Sequence, residues 1–254
     1  MLNSEHILVP FSCSPLPPGP WLVFAPHADD ETFGMGGSLL RAKKEGLETH
    51  VIVLTDGALG GEREGLVELR QQEVQQAAKL LGLSGLQCWS EPDRGLEQSQ
   101  GLPEKIAAAI HDVEPASVFF PGPLEIHPDH RAAGFAVWSA LQWVYQNNME
   151  CDLESNMGSN LQPQIISYEI GVQNPVNFVI DTTNEIREKE AVMAVYASQN
   201  SENNYPELVV ALDKGRTLSL PPEIGYAEGF FRYAEQDLQI TLQEMTHHII
   251  NLYQ

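Results

Sequence analysis

Trp21-Leu22-Val23-Phe24-Ala25 is a continuous apolar run closed by Pro26, the pattern of a strand buried on both faces of a parallel sheet. Leu39, Leu40, Ala42 and Leu47 then recur at helical spacing, and residues 34–46 end in Lys43-Lys44-Glu45-Gly46, a basic last turn before a C-cap glycine. The alternation continues. Residues 51–54 predict a second strand, and Val74, Ala77, Ala78, Leu80 and Leu81 give residues 70–81 a helical rhythm stopped by Gly82. Gln87-Cys88-Trp89 reads as a short strand, 102–113 as a helix, 117–120 as a strand and 132–145 as a helix. Strands alternating with amphipathic helices at this spacing specify βαβ units. The expected fold is therefore α/β, Rossmann-like and doubly wound, with a mostly parallel sheet flanked by helices.

The pattern changes after Asn147. Asn, Ser, Gln and Gly crowd residues 147–164, which predicts an exposed loop bordering a substrate cleft. Residues 165–172 and 177–180 are strand-like runs separated by Gln173-Asn174-Pro175-Val176, and an antiparallel pair is the simplest reading. A helix is expected over 185–197 and a final one near 228–242. At the other end, Pro10, Pro15, Pro17, Pro18 and Pro20 remove backbone donors and fix φ, so residues 1–20 are expected to form an extended arm. No repeat interrupts the rest of the chain, and residues 21–254 read as one domain.

Charge narrows the partners. Fourteen Lys and Arg against 35 Asp and Glu give a formal net charge of −21, which repels nucleic acid and anionic membranes. The apolar runs are far shorter than the ~20 residues that span a bilayer. The N-terminus has neither a basic opening nor a long apolar segment, so a cytoplasmic location is expected. Cys13, Cys88 and Cys151, odd in number and widely spaced, read as packing residues. Apolar surfaces on the last helices leave a homo-oligomer open.

In open α/β sheets, ligands bind outside the carboxyl ends of the strands, where the loop after the first strand places His27, Asp29, Asp30 and Glu31. So many ionisable groups after a buried strand need partners, and a metal ion is one. Catalytic zinc takes three protein ligands, imidazole and carboxylate among them, and leaves a position for water. His27 and Asp30 form the local pair, and His127-Pro128-Asp129-His130 after the 117–120 strand offers a third donor at the same sheet edge. Taken singly, each residue reads as a helix cap; taken jointly, they read as a site. Gly34-Met35-Gly36-Gly37-Ser38-Leu39 begins like a dinucleotide fingerprint, but Leu39 stands where the third glycine belongs, and the acidic loop would repel a pyrophosphate. Those glycines are expected to let the helix approach the sheet.

The chain resembles the LmbE-like, or PIG-L, zinc-dependent N-deacetylases. Pro26 to Glu31 matches the family's Pro-His-Pro-Asp-Asp-Glu stretch with Ala28 at the central proline. Leu54-Thr55-Asp56-Gly57, Leu69-Arg70-Gln71-Gln72-Glu73, Pro92-Asp93 before Gly95-Leu96, His127-Pro128-Asp129-His130-Arg131-Ala132-Ala133, Lys189-Glu190-Ala191 and Tyr196-Ala197-Ser198-Gln199 are similar to further family motifs. The resemblance runs over residues 20–200. It implies Zn2+, or another divalent metal, held by His27, Asp30 and His130, with Asp29 as general base and His127 near the reacting carbonyl. Arg70 and Asp93 match positions that contact substrate, and an Arg and an Asp at such boundaries also serve as structural ion-pair partners. The implied reaction is removal of an acetyl group from an N-acetylglucosamine-type conjugate or a similar small amide. A larger amide conjugate, or metal and sugar binding without catalysis, remain alternatives on sequence.

Overall fold

The computed structural model describes residues 9–154 and 161–252, the side chains of 147–154 excepted. The chain runs β1 (Trp21–Ala25), α1 (Asp30–Glu45), β2 (Thr49–Thr55), α2 (Leu66–Leu81), β3 (Gly85–Glu91), α3 (Leu102–Val113), β4 (Ser117–Pro121) and α4 (Pro128–Glu154). It continues with β5 (Gln164–Tyr168), β6 (Phe178–Asp181), α5 (Ile186–Met193), α6 (Ala197–Asn200), α7 (Tyr205–Gly215), β7 (Ala227–Tyr233) and α8 (Leu242–Asn251). The strands form one seven-stranded sheet in the order β3-β2-β1-β4-β5-β7-β6. β1 pairs in parallel with both β2 and β4, β2 with β3, and β4 with β5, whereas β7 runs antiparallel to both β5 and β6.

Because successive residues of a strand face opposite sides, the buried runs feed two cores. Leu22, Phe24, Val118 and Phe120 point to one face, covered by α3, α4 and α8 through Ile106, Trp138 and Leu242. Trp21, Val23, Val51 and Phe119 point to the other, covered by α1, α2 and α5 through Leu39, Val74 and Met193. α1 lies close against the sheet, as its glycines predict: a Cβ at Gly37 would come within 2.7 Å of Thr182.

Several expectations are corrected. Residues 227–233, expected as part of a final helix over 228–242, form β7, and the helix comes later at Leu242–Asn251. Phe230, Phe231 and Tyr233 suit a pleated, buried surface, and Glu228 is neutralised inside rather than solvated outside. β7 also inserts between β5 and β6, so these two are not the antiparallel pair that their sequence order suggests; each pairs with β7. The helix expected over 185–197 stops at Met193, and α6 begins after a break. Of the loop expected over 147–164, residues 147–154 continue α4 and 155–160 lie outside the described residues. Residues 161–163 lead into the amino end of β5, the edge opposite the carboxyl ends where a cleft would form. Residues 1–8 of the arm also lie outside the described residues. Residues 9–20 contain no helix or strand and are tied down by Ser14 N–H donating to Val179 O at 2.8 Å and Ser219 Oγ donating to Pro10 O at 2.6 Å. Cys88, expected to pack, is exposed on the edge strand β3. Among the described residues no helix is long and apolar enough to cross a membrane.

Candidate metal and catalytic site

β1 lies between β2 and β4, the place where the chain, having run outward to β3, crosses back and starts in the other direction. Crevices at such switch points, outside the carboxyl ends, are where open α/β sheets bind ligands. The loop leaving β1 carries His27 and Asp29 and opens α1 at Asp30, and the loop leaving β4 carries Glu125 and His127 and leads into the first turn of α4 at His130. All six line one cavity of about 610 Å3, together with Arg70 and Asp93. The strand order thus brings together positions about 100 residues apart.

One oxygen of Asp30 is the centre of the cluster. Asp30 Oδ2 lies 3.0 Å from His27 Nδ1 and 3.3 Å from His130 Nε2, with all three side chains almost wholly buried. The remaining ring nitrogens are oriented by carboxylates: His27 Nε2 is 3.2 Å from Asp129 Oδ2 and 3.4 Å from Asp93 Oδ1, and His130 Nδ1 is 3.4 Å from Glu125 Oε2. Such outer carboxylates fix ring orientation and raise ligand basicity. They are themselves anchored. Asp129 accepts the backbone N–H groups of Arg94 at 2.6 Å and Leu96 at 3.2 Å, and Asp93 accepts that of Leu59 at 2.9 Å. Glu125 accepts from Ile170 N–H at 2.9 Å and Gly171 N–H at 3.0 Å.

Burial favours the neutral acid at Asp30, but the imidazoles of His130 and His27 outweigh it and hold the carboxyl well below its ordinary range. Burial likewise opposes charge on His27, and hydrogen bonds to Asp129, Asp30 and Asp93 overcome it and lift that imidazole well above its usual value. At His130 burial is outweighed by Asp30 and Glu125, and the ring is pushed up to about 9. The cluster therefore favours positive charge at the point where His27, Asp30 and His130 meet. A divalent cation fits that demand with borderline-soft imidazole and carboxylate donors of the kind zinc accepts. One nitrogen from each of His27, His127 and His130 also lies within 4.8 Å of the other two, which sets His127 at the rim of the cluster.

Asp29 stands apart from these pairs. Its backbone adopts φ 144° and ψ −28°, a region that costs a non-glycine residue on the order of 1–3 kcal/mol and is met at functional sites. The conformation is held from both sides. Asp29 O accepts the N–H groups of Thr32 at 3.0 Å and Phe33 at 2.8 Å, and Asp29 N–H donates to Glu31 Oε2 at 3.2 Å. Glu31 is gripped in turn by the Tyr196 hydroxyl and by Thr32 Oγ1 at 2.7 Å. Burial pushes the Asp29 carboxyl up to about 7 against the opposing pull of Arg70. Arg70 Nη2 donates to Ala28 O at 3.1 Å and reaches Asp29 Oδ2 at 3.4 Å, so it is at once an ion-pair partner and part of the cavity wall. Its Nε–H is buried without a protein acceptor among the described residues.

His127 is half-buried, and burial, followed by the neighbouring His27 and His130, lowers its affinity for a second proton. Its Nδ1 accepts the Asp129 backbone N–H at 3.2 Å, which leaves the proton of the neutral ring on Nε2. A neutral imidazole so fixed is a hydrogen-bond donor.

Sequence reasoning missed four supporting residues: Glu125, Asp129, Glu31 and Tyr196. Asp129, Glu31 and Tyr196 stood inside motifs already singled out, while Glu125 had only its nearness to His127 as a signal. A further link joins two of those motifs: Glu73 accepts Ser198 N–H at 2.9 Å and Ser198 Oγ at 2.6 Å, which docks α6 on α2 and sets Gln199 at the cavity wall.

The family model described as GlcNAc-PI de-N-acetylase, PIG-L, matches residues 22–141, the stretch that contains both segments of the His and Asp cluster. The conserved protein TT1542 of Thermus thermophilus superposes with a TM-score of 0.70 at 30% identity, over 83% of this chain and 93% of that one. The chain belongs to the PIG-L family of deacetylases. Diacetylchitobiose deacetylase of Thermococcus kodakarensis is 28% identical over 84% of this chain and 80% of its own length. A probable N-acetyl-alpha-D-glucosaminyl L-malate deacetylase 2 of Bacillus anthracis is 30% identical over 58% of this chain, which spans 64% of that relative.

Proposed function

We propose that this PIG-L protein is a zinc-dependent hydrolase that removes the acetyl group of an N-acetylglucosamine-type conjugate. The observation that carries this reading is the convergence of His27 Nδ1 and His130 Nε2 on Asp30 Oδ2, with the strained Asp29 beside them on the wall of the same cavity. The names of the sugar deacetylases to which the chain is similar support the substrate class.

His27, Asp30 and His130 would hold the metal. When bound, the cation supplies Lewis acidity, polarising the amide carbonyl and lowering the pKa of water from about 15.7 toward 7. Asp29 takes the proton of the attacking water, because Asp30 is committed to two imidazoles and Asp29 is not. A carboxyl poised near neutrality suits a general base, since its pKa lies near the operating pH. Arg70 holds the ionised form of Asp29 in place. His127 donates its Nε2–H to the oxygen that gains charge as the carbonyl becomes tetrahedral. The proton gathered by Asp29 can then pass to the departing amine.

Metal analysis combined with a screen of N-acetylated sugars for acetate release tests the proposal. The expected result is stoichiometric divalent metal and equal yields of acetate and free amine. Metal or sugar binding with no acetate released would instead make the chain a binding member of the fold.

A further inference from the structure

The cavity has two unlike halves. Its floor carries the ionisable cluster, but its mouth is ringed by apolar side chains from separate segments: Leu59 from the loop after β2, Ile126 from the loop after β4, and Leu208 from α7. These are 55%, 75% and 59% exposed, an unusual outlay of aliphatic surface around a polar pocket. The apolar surface continues inward. Phe33 and Tyr205 lie 5.7 Å apart between ring centroids, and Ile170 and Val209 are buried behind them. At about 610 Å3 the cavity falls in the range, about 300–1,000 Å3, that encloses a drug-sized ligand, more than a single N-acetylated sugar fills.

The charges lining it point the same way. Asp29, Asp30, Asp93, Glu125 and Glu202 face Arg70 and Arg94; the two Nη groups of Arg70 are occupied by Ala28 O, Gly57 O and Asp29, and its Nε–H, unpaired among the described residues, is buried. Among the described residues no lysine lines the cavity, and the chain as a whole carries −21. An anionic group on the substrate would find one exposed arginine and a prevailing negative field.

We propose that the mouth receives an uncharged apolar group, alkyl or aryl, carried by the substrate beyond its acetamido sugar, and that this group determines which conjugate is preferred. The inference rests on the deacetylase reading above. Binding energy from that remote group would act through substrate capture, and burial of a hexyl or phenyl group is sufficient for at least about a tenfold effect.

The test compares the methyl, hexyl, phenyl and malyl glycosides of N-acetylglucosamine with the metal-loaded chain, following amine release. The hexyl and phenyl glycosides are expected to exceed the methyl glycoside in kcat/KM by about tenfold or more, chiefly through KM, with the malyl glycoside no better than methyl. The double variant Leu59→Asp, Leu208→Asp should bring the hexyl-to-methyl ratio to about one; both side chains are largely exposed, so the fold should survive, and an unchanged thermal midpoint would verify it. Equal kcat/KM for methyl and hexyl glycosides, a preference for the malyl glycoside, or an unchanged ratio in the folded double variant would overturn the proposal. If no glycoside releases amine, the deacetylase reading fails instead. Titration with hexyl and methyl glucosides, which lack the acetamide, then decides the mouth alone: tenfold tighter hexyl binding supports it and equal binding overturns it.

Discussion

Among the described residues two carboxyl groups are pushed up to about 7, and burial is the main cause at both. Asp29 sits on the wall of the cavity at the β1–β4 switch point. Asp213 sits behind it in α7, where it and Glu228 each lie 2.7 Å from the Nζ of the wholly buried Lys189. The surroundings differ in kind. Glu228 also accepts the backbone N–H groups of Gly37 and Ser38, both at 2.7 Å, so the Lys189 cluster locks α1, α5, α7 and β7 together and no part of it lines the large cavity. Asp29 has one loose partner, a strained backbone and access to the cavity. A raised pKa marks burial, therefore, and only geometry tells a working group from a structural one.

The comparison breaks most readily at Asp29. Asp29→Asn should lower kcat by about 10²–10⁴-fold, the usual contribution of a general base, while bound metal stays stoichiometric. Metal content with kcat, measured on the same sample, checks both halves, and full activity would remove Asp29 from the mechanism. In the parent enzyme kcat/KM should fall as pH drops through about 7, because protonation silences the base. His130→Ala should lose the metal itself; unchanged stoichiometry would strike His130 from the ligand set.

Lys189→Met is the corresponding break in the structural cluster. It leaves Asp213 and Glu228 buried without their cation, and removal of one partner from a buried ion pair costs about 3–5 kcal/mol. The expected signature is a lower denaturation midpoint, with kcat per folded, metal-loaded molecule close to the parent value. A loss of kcat without loss of stability would mean that the two clusters are not separate in role.

How far this contrast could be read in the sequence depended on range. His27, Asp30 and the His127-Pro128-Asp129-His130 segment were legible as neighbours because a buried strand and its following loop are local, and two such loops must meet at one sheet edge; the choice of His130 within that segment came from the family resemblance alone. The same locality misled at residues 227–233. The stretch from 228 was read as a helix, whereas Glu228 lies buried in a strand beside Lys189, 39 positions away. β7 likewise enters between β5 and β6 after a long excursion through α5, α6 and α7, and nothing in the adjacent 173–176 turn records that insertion. Asp129 and Glu125 were overlooked as orienting groups for a related reason: their roles consist of contacts to His27, Arg94 and Leu96, or to Ile170 and Gly171, which only the folded chain supplies.

A pH titration of stability sharpens the comparison at Asp213. Its folded pKa is raised from 3.8 to about 7, so the folded state prefers the neutral acid. The associated stability is fully present below about pH 3.8 and is lost as pH rises through about 7. Over that window the loss is on the order of 1 kcal/mol per pH unit. Asp213→Asn cannot titrate, so its stability relative to the parent should improve as pH rises from 4 to 8; parallel urea-midpoint curves would show that the shift belongs elsewhere.

The smallest expected effect tests whether the orienting carboxylates matter to the metal or only to the loops. Glu125 serves both: one oxygen faces His130 Nδ1, and the carboxylate also gathers Ile170 N–H, Gly171 N–H and, at 3.1 Å, Asn174 Nδ2. Glu125→Gln keeps the shape and one acceptor oxygen but removes the charge that supports His130. Outer carboxylates of this kind typically contribute about 10–100-fold to metal affinity or activity, so competition with a chelator should show a loss in that range. Asp129→Asn should act in the same way through His27. A variant with lowered thermal stability and unaltered metal affinity would place Glu125 with Lys189 and Glu228, among the charges that hold the fold rather than the site.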